Sequence, residues 1–364
     1  RYRIDGDLFD VLDDLKETIY SHLVSRIKLL SNLKLNIRDE AQDGRYTIGL
    51  GKKEIEIRVA VAPSEFGEVV VMRILDPDAI NLNLQDLGFR KDDLDIVEAE
   101  LKRPNGMILN TGPTGSGKTT TLYAFLKRAS APEIKIITIE DPIEYHLAGI
   151  EQTQVDPEAN YTFVNGLRSI MRQDPDMILI GEIRDKETAE IAIQAALTGH
   201  LVFSTVHANE AAGAIPRLID LGVKPTSIGP ALNLIIAQRL VKRLCEKCKV
   251  KDKVDSVLKS KLEKFIKDLS ERVDKSGLKE LNIYKPKGCS YCGNTGYRGR
   301  VGIYELLRIS KEIEGLMMKG SGEIEIQEFA LRQGMVTMQQ DGILKVISGL
   351  TTIKEVEKLT GPIK

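Results

Sequence analysis

Apolar side chains near the start of the chain, Leu12, Leu15, Ile19, Leu23, Ile27 and Leu30, recur in steps of three and four. That spacing places them on one stripe of a helix. Further on the period drops to two. Across residues 53–61, Ile55, Ile57, Val59 and Val61 alternate with Glu54, Glu56 and Arg58, the pattern of a strand with one buried face. Gly49 and Gly51 supply a turn before it, and residues 68–75 read as another strand, nearly all apolar but interrupted by Arg73. Asp76-Pro77-Asp78 and Asn81-Leu82-Asn83 then break the pattern as a linker would. A small α+β module is expected over residues 1–78.

From Met107 onward the rhythm changes. Short apolar runs at 107–109, 134–139, 177–180 and 201–206 alternate with helical stretches, which predicts a parallel sheet covered by helices over residues 79–238. One helix starts after Asp185 and stops at Gly199, a residue suited to the left-handed position that ends helices. After Arg239 the chain turns Lys-rich. There Val254, Leu258, Leu262, Phe265, Ile266, Leu269 and Val273 keep a helical period, so one long charged helix is expected inside residues 239–300. Residues 301–364 read as short helices, with Gly334 and Gly349 as stops and Thr352-Ile353-Lys354-Glu355 as a capping box.

The composition bounds these readings. With 364 residues, 42% hydrophobic and 29% charged, the chain can bury a sizeable core and belongs with soluble globular proteins of roughly two to three domains. No uninterrupted apolar run reaches the roughly 18 residues of a membrane span, and the Asp and Glu residues of the first twenty positions exclude a signal peptide. The chain opens on Arg1, so a longer gene is expected. Lys and Arg number 52 against 53 Asp and Glu, a net charge of -1, which argues against a dedicated polyanion binder.

The sharpest chemical signal is Gly112-Pro113-Thr114-Gly115-Ser116-Gly117-Lys118-Thr119, which fits G-x-x-x-x-G-K-[ST] between an apolar run and a helix starting near Thr120. Glycines let consecutive N–H groups turn toward phosphate oxygens, and the helix terminus adds partial positive charge. Lys118 would reach the β- and γ-phosphates of ATP, and Thr119 would place its hydroxyl on Mg2+. Three further strand ends present ionisable groups at the edge where open α/β sheets bind ligands: Glu140-Asp141 after residues 134–139, Glu182 after 177–180, and His207 after 201–206. Their convergence beside a phosphate loop marks Glu140, Glu182 and His207 as candidate catalytic residues.

Cys245-Glu246-Lys247-Cys248 and Cys289-Ser290-Tyr291-Cys292 are two C-x2-C pairs with 40 residues between them. Four thiolates match a closed, structural Zn2+ site, which without an open position is not catalytic; redox use is the alternative, opposed by the lack of a preceding thioredoxin-like βαβ setting. The gap exceeds the usual 15 to 20 or so residues, and the charged helix can fill it. In the first module, Arg58 and Arg73 lie on strands, and Arg73 interrupts an otherwise apolar one. Surface ion pairing and an arginine finger both account for such residues.

The chain resembles the secretion ATPase superfamily of type II secretion and type IV pilus assembly. Ile139-Glu140-Asp141-Pro142-Ile143-Glu144-Tyr145 is similar to its Asp box, Gly181-Glu182-Ile183-Arg184-Asp185 to its atypical Walker B, and Gly199-His200-Leu201-Val202-Phe203-Ser204-Thr205-Val206-His207 to the start of its His box. The resemblance implies an N-terminal PAS-like module, a RecA-like ATPase domain, a tetracysteine zinc subdomain and a C-terminal helical region, assembled as a homo-hexamer. It implies a water-polarising role for Glu140, Mg2+ organisation by Glu182, γ-phosphate sensing by His207, support of the nucleotide loop by His200, and finger roles for Arg58 and Arg73. It also implies a cytoplasmic motor at the inner membrane that engages a membrane platform protein and docking proteins. The zinc cysteines point to the secretion and pilus-extension branches, and an additional N-terminal docking domain of the family lies outside this sequence.

Two other classes compete: a RecA-like nucleic-acid translocase, opposed by the balanced charge and the lack of a basic-aromatic stripe, and a scaffold that binds ATP without hydrolysing it, opposed by the intact Lys118, Thr119, Glu140 and Glu182. The overall neutrality also hides a local imbalance. Residues 239–300 hold 18 Lys and Arg against 8 Asp and Glu, so the zinc segment is a basic patch expected to face an anionic membrane surface or an acidic partner domain.

Overall fold

A computed structural model describes residues 1–51, 53–76, 82–278 and 281–363. The chain forms two compact units, Arg1–Asn81 and Leu82–Lys364.

The first unit opens with a hairpin of β1 (Tyr2–Ile4) and β2 (Asp7–Phe9). Asp5 and Gly6 turn it, both with positive φ, as Asp-Gly does in tight hairpins. Three-residue strands are too short to show a period, and the hydrophobic pattern missed them. Helix α1 spans Glu17–Leu30, so it starts later than the apolar spacing predicts. Leu12 and Leu15 precede it and are exposed, because the adjacent Asp13 and Asp14 favour non-helical backbone. The buried stripe also differs: Val24 and Lys28 point inward, while Ile19, Leu23 and Leu30 are exposed. Lys28 is satisfied by Glu68 Oε1 at 2.6 Å and the carbonyl of Ile37 at 2.5 Å.

Strands β3 (Gln42–Leu50), β4 (Lys53–Ser64) and β5 (Gly67–Leu75) form an antiparallel sheet in that order. Its core is Ile57, Val59 and Val61 with Ile27, Leu33, Tyr46 and Val70 around them. On the other face, Arg45, Arg58 and Arg73 stand directly opposite one another across the three strands. Like charges in register oppose pairing. The α+β reading of this unit holds, and its PAS-like character rests on the resemblance alone.

In the second unit, a 3-10 turn at Leu84–Leu87 leads into α2 (Lys91–Leu101), β6 (Gly106–Thr111), α3 (Lys118–Ala129), β7 (Ile136–Glu140), β8 (Glu151–Gln154), α4 (Phe163–Ile170), β9 (Met177–Ile180), α5 (Lys186–Leu197) and β10 (Leu201–Val206). Then come α6 (Ala214–Asp220), α7 (Pro225–Ala231), β11 (Leu232–Leu244), β12 (Val250–Lys251), α8 (Ser256–Lys267), β13 (Tyr284–Lys285) and β14 (Tyr297–Arg308). Four helices close the chain: α9 (Lys311–Met318), α10 (Glu323–Arg332), α11 (Met338–Ile347) and α12 (Ile353–Thr360). The main sheet has seven strands in the order β14-β11-β6-β10-β9-β7-β8. All neighbours are parallel except β11 and β14. Every residue of β6, β7, β9 and β10 is buried, as two-sided burial requires.

Three expectations need correction. α8 stops at Lys267. Leu269 and Val273 continue its period but fold back through turns and pack with Val336 and Leu344, because a core residue can be delivered by a turn as well as by a helix. At α12 only half of the capping box forms. Thr352 accepts from Glu355 N–H, while the Glu355 carboxylate turns to Lys242, meeting its ammonium with Oε1 and its backbone N–H with Oε2, each at 3.3 Å, two partners including a charge where the box offers one neutral donor. Finally, β11 and β14 run through residues 238/239 and 300/301 without a break and pair with each other.

The entry to this unit is clamped. The Phe89 ring stacks on Tyr304 at 3.8 Å, whose hydroxyl donates to the Leu87 carbonyl. Arg90 pairs with Asp341 at 2.8 Å and with Asp93 at 2.8 Å. Arg272 also meets Asp93, at 2.9 Å, and Lys345 pairs with Asp341. Among the described residues, no helix is long and apolar enough to cross a membrane.

Candidate functional site

The phosphate loop leaves β6 at Thr111. Gly112 has φ +150°, and a Cβ there would stand 2.5 Å from the Gln238 carbonyl and 2.7 Å from Ser116 Oγ, so only glycine fits. Gly117 starts α3 in a left-handed conformation without a capping side chain, which leaves the N–H groups of the first turn, at Lys118, Thr119 and Thr120, available to an anion. Lys118 Nζ donates to the carbonyls of Gly112 at 2.7 Å and Pro113 at 3.3 Å. Burial lowers the pKa of Lys118, and the nearby Glu182 carboxylate partly offsets this. Ser116 Oγ is buried and has no hydrogen-bond partner among the described residues. A cradle too tight for a Cβ, holding a folded-back ammonium and an unpartnered hydroxyl, fits a nucleotide phosphate.

A buried glutamine braces the loop from β11. Gln238 Nε2 donates to the Ser116 carbonyl at 2.8 Å, and its Oε1 accepts from Thr121 Oγ1 at 2.9 Å and Asn110 Nδ2 at 3.1 Å. One side chain thereby joins β6, the loop and α3. Arg239 lies beside it and donates to the Gln238 carbonyl and to both the carbonyl and Oδ1 of Asn209. Thr111 Oγ1 donates to the Ala208 carbonyl at 3.0 Å and accepts from Ala208 N–H at 2.8 Å, which pins the loop after His207.

The strand ends deliver the carboxylates to this same edge. Glu140 closes β7 and is 3% exposed. Its Oε1 accepts from Thr138 Oγ1 at 2.6 Å and Gln152 Nε2 at 3.1 Å, and its Oε2 accepts from the Tyr123 hydroxyl. Glu182 follows β9 and meets Arg184 and, at 3.3 Å, His207 Nε2. The structure thus brings Lys118, Glu182 and His207 together, with Glu140 on the neighbouring strand end. His200 is not among them. It precedes β10 at the opposite edge of the sheet, its Nδ1 3.1 Å from the Ala195 carbonyl. Arg58 and Arg73 belong to the first unit.

Sequence reasoning missed Tyr123, Gln152, Gln238, Arg239 and Thr111. Four of the five are uncharged and match no motif. Tyr123 lies on the helix after the phosphate loop and Gln238 on β11, both among buried neighbours.

The second cluster lies where β11 ends and β14 begins. Cys245 follows β11, and its N–H donates to the Gly296 carbonyl at 3.0 Å, so the antiparallel pair brings both knuckles together. The sulfurs of Cys245 and Cys289 are 3.9 Å apart, those of Cys248 and Cys292 are 3.8 Å, and those of Cys289 and Cys292 are 3.7 Å. All four ligand atoms lie within 4.8 Å of one another. A tetrahedron with metal–sulfur bonds of about 2.3 Å has edges of about 3.8 Å, so the four thiols are already at metal-binding separation. Burial acts against the Cys292 thiolate, but the N–H groups of Cys289 and Gly296 prevail and hold its pKa at about 6, while burial pushes Cys248 up to about 11.

Comparison with known proteins agrees with this geometry. The chain is 44% identical over 361 residues to type II secretion system protein E of Pectobacterium carotovorum, which covers 99% of this chain and 69% of that protein. It is 43% identical over 364 residues to the type IV pilus assembly ATPase PilB of Myxococcus xanthus, covering 100% of this chain and 62% of PilB. Among solved structures, the pilus retraction motor PilT with bound ADP superposes with a TM-score of 0.60 at 27% identity, over 88% of this chain and 78% of that one. The Legionella pneumophila ATPase DotB shares the fold with a TM-score of 0.66 at 20% identity, over 98% and 87%. The model of the type II/IV secretion system protein family matches residues 1–358, and with these relatives spanning nearly the whole sequence, the chain belongs to that family.

Proposed function

We propose that this chain hydrolyses ATP as the cytoplasmic motor of a type II secretion or type IV pilus assembly (extension) machine, working as a homo-hexameric ring at the inner membrane and driving polymerisation of pilin-like subunits. The observation that carries the reading is the convergence of a complete phosphate loop with Glu140, Glu182 and His207 at one sheet edge, in a chain of this family. Lys118 would exchange the Gly112 carbonyl for a phosphate oxygen. Thr119 and Glu182 would hold Mg2+, which supplies charge neutralisation at the β- and γ-phosphates. Glu140 would polarise the attacking water, and His207, beside Glu182, would sense the γ-phosphate. Arg58 and Arg73 would supply positive charge to the transferred group in the assembled ring. Cys245, Cys248, Cys289 and Cys292 would hold a structural Zn2+, in a subdomain built on the segment between the end of β11 and the start of β14. The Lys-rich surface of that subdomain would face anionic lipid, next to the platform protein.

Phosphate release from ATP tests the reading. Glu140→Gln should keep nucleotide binding and lose turnover by about 10²–10³-fold, and Arg73→Ala should lower turnover at least tenfold in the ring. Wild-type rates in E140Q would remove Glu140 from the mechanism. Deletion of the gene should abolish either secretion or pili, which separates the two machines.

A further inference from the structure

The Glu140 carboxylate is held by three side chains from three elements. Thr138 on β7 and Gln152 on β8 both donate to Oε1. Gln152 also ties down the loop that follows Glu140, since its Nε2 donates to the Tyr145 carbonyl at 3.0 Å and its Oε1 accepts from Leu147 N–H at 2.6 Å. The third donor is of another kind. Tyr123 is 1% exposed, and it belongs to α3, the helix whose first residue is Lys118. Its hydroxyl donates to Oε2 and lies against the backbone of Glu144 and Tyr145. Burial, reinforced by the adjacent carboxylate, raises the Tyr123 pKa, so the hydroxyl keeps its proton and remains a donor. A carboxylate has about four acceptor positions. Among the described residues three donors use them, two on Oε1 and one, Tyr123, on Oε2.

We propose that Tyr123 is a positioning residue for hydrolysis: its hydroxyl fixes the Glu140 carboxylate to the phosphate-loop helix, so that Oε2 presents its remaining acceptor position to water in register with the nucleotide. The link is short. Tyr123 is five residues beyond Lys118, about 7.5 Å along the helix axis. Without it, Glu140 keeps its bonds to β7 and β8 but loses its tie to the helix that grips the phosphates. Misplacing a catalytic group by about 1 Å can cost about 10²-fold in rate, while ground-state binding of nucleotide, made by the loop, is untouched.

The proposal rests on the reading of Glu140 as the residue that acts on water, and the experiment separates the two. Phosphate release and binding of a fluorescent ATP analogue are measured for the full chain, Tyr123→Phe, Glu140→Gln and the double variant. Tyr123→Phe should lower kcat about tenfold or more with KM and analogue affinity within about twofold of wild type. The double variant should be no slower than E140Q, because Tyr123 acts only through that carboxylate. A wild-type kcat in Y123F overturns the proposal, as does a Y123F loss that multiplies the E140Q loss in the double variant. A loss in Y123F that appears in KM and analogue affinity instead of kcat also overturns it. Wild-type turnover in E140Q overturns the underlying reading and the proposal together.

Discussion

The phosphate edge of the large sheet and the cysteine cluster at the far end of β11 solve opposite problems. At the phosphate edge, side chains from β6, α3, β7, β8 and β11 meet through hydrogen bonds, some between neutral groups and some to the Glu140 carboxylate, and Lys118 rests on carbonyls it must release to bind a ligand. The cysteine cluster draws on two local knuckles whose sulfurs already stand at the separation a metal requires. One site is assembled from many distant parts and leaves its central cation reversible; the other comes from two short segments and is closed. A ligand that turns over needs exchangeable partners, whereas a structural ion works best when nothing needs to move.

The sharpest way to break this contrast is at the lysine. Lys118→Ala should abolish phosphate release by at least about 10²-fold while leaving the metal content of the chain unchanged, as elemental analysis would show. Next in size, Cys245→Ser or treatment with a strong chelator should strip zinc and lower Tm by more than about 5 °C. Unchanged metal content in C245S would end the assignment of the cluster. Gln238→Ala leaves buried Asn110, Thr121 and Ser116 groups without their partner, a cost of about 1–3 kcal/mol, and should raise KM for ATP roughly tenfold with zinc retained. A shift in zinc content without a shift in KM would show that Gln238 serves the cluster, not the loop. The smallest effect belongs to the surface: Lys253→Glu, Lys264→Glu and Lys287→Glu together should weaken binding to anionic vesicles by about 1 kcal/mol per lysine and leave basal turnover as it was.

What the sequence made legible follows the same division. The bounds of β9 and β10 and the ligand set of the cysteine cluster were readable because each is written in contiguous residues. The phosphate edge was readable through its loop motif and its charged members. Tyr123 and Gln238 are both 1% exposed, carry no charge and belong to no motif, and their polar atoms matter because of what lies across from them in space. Lys28 shows the same limit in the first unit: a helical wheel assigns a lysine to solvent, yet it is 1% exposed because Glu68, forty residues away, supplies its counter-charge. The helix stripe through Ile19 and Leu23 failed for the complementary reason, since apolar spacing names a face but not what covers it.

The clamp at the entry of the second unit bears on how this protein can be cut. Arg90 and Asp341 are 251 positions apart; Asp341 is fully buried and Arg90 only partly exposed, with further charged partners on α2 for Arg90 and on α11 for Asp341, while Arg272 after α8 meets the same Asp93. Removing α11 would strand Arg90 without Asp341, and ending the chain at residue 238 would in addition deprive Asp93 of Arg272 and Phe89 of Tyr304. Stranded buried charge costs several kcal/mol, a large share of the stability of any domain. The motif-bearing stretch is therefore not an excisable cassette: a fragment trimmed to the phosphate loop and its carboxylates would carry every recognisable signature and still lack the residues that let it fold.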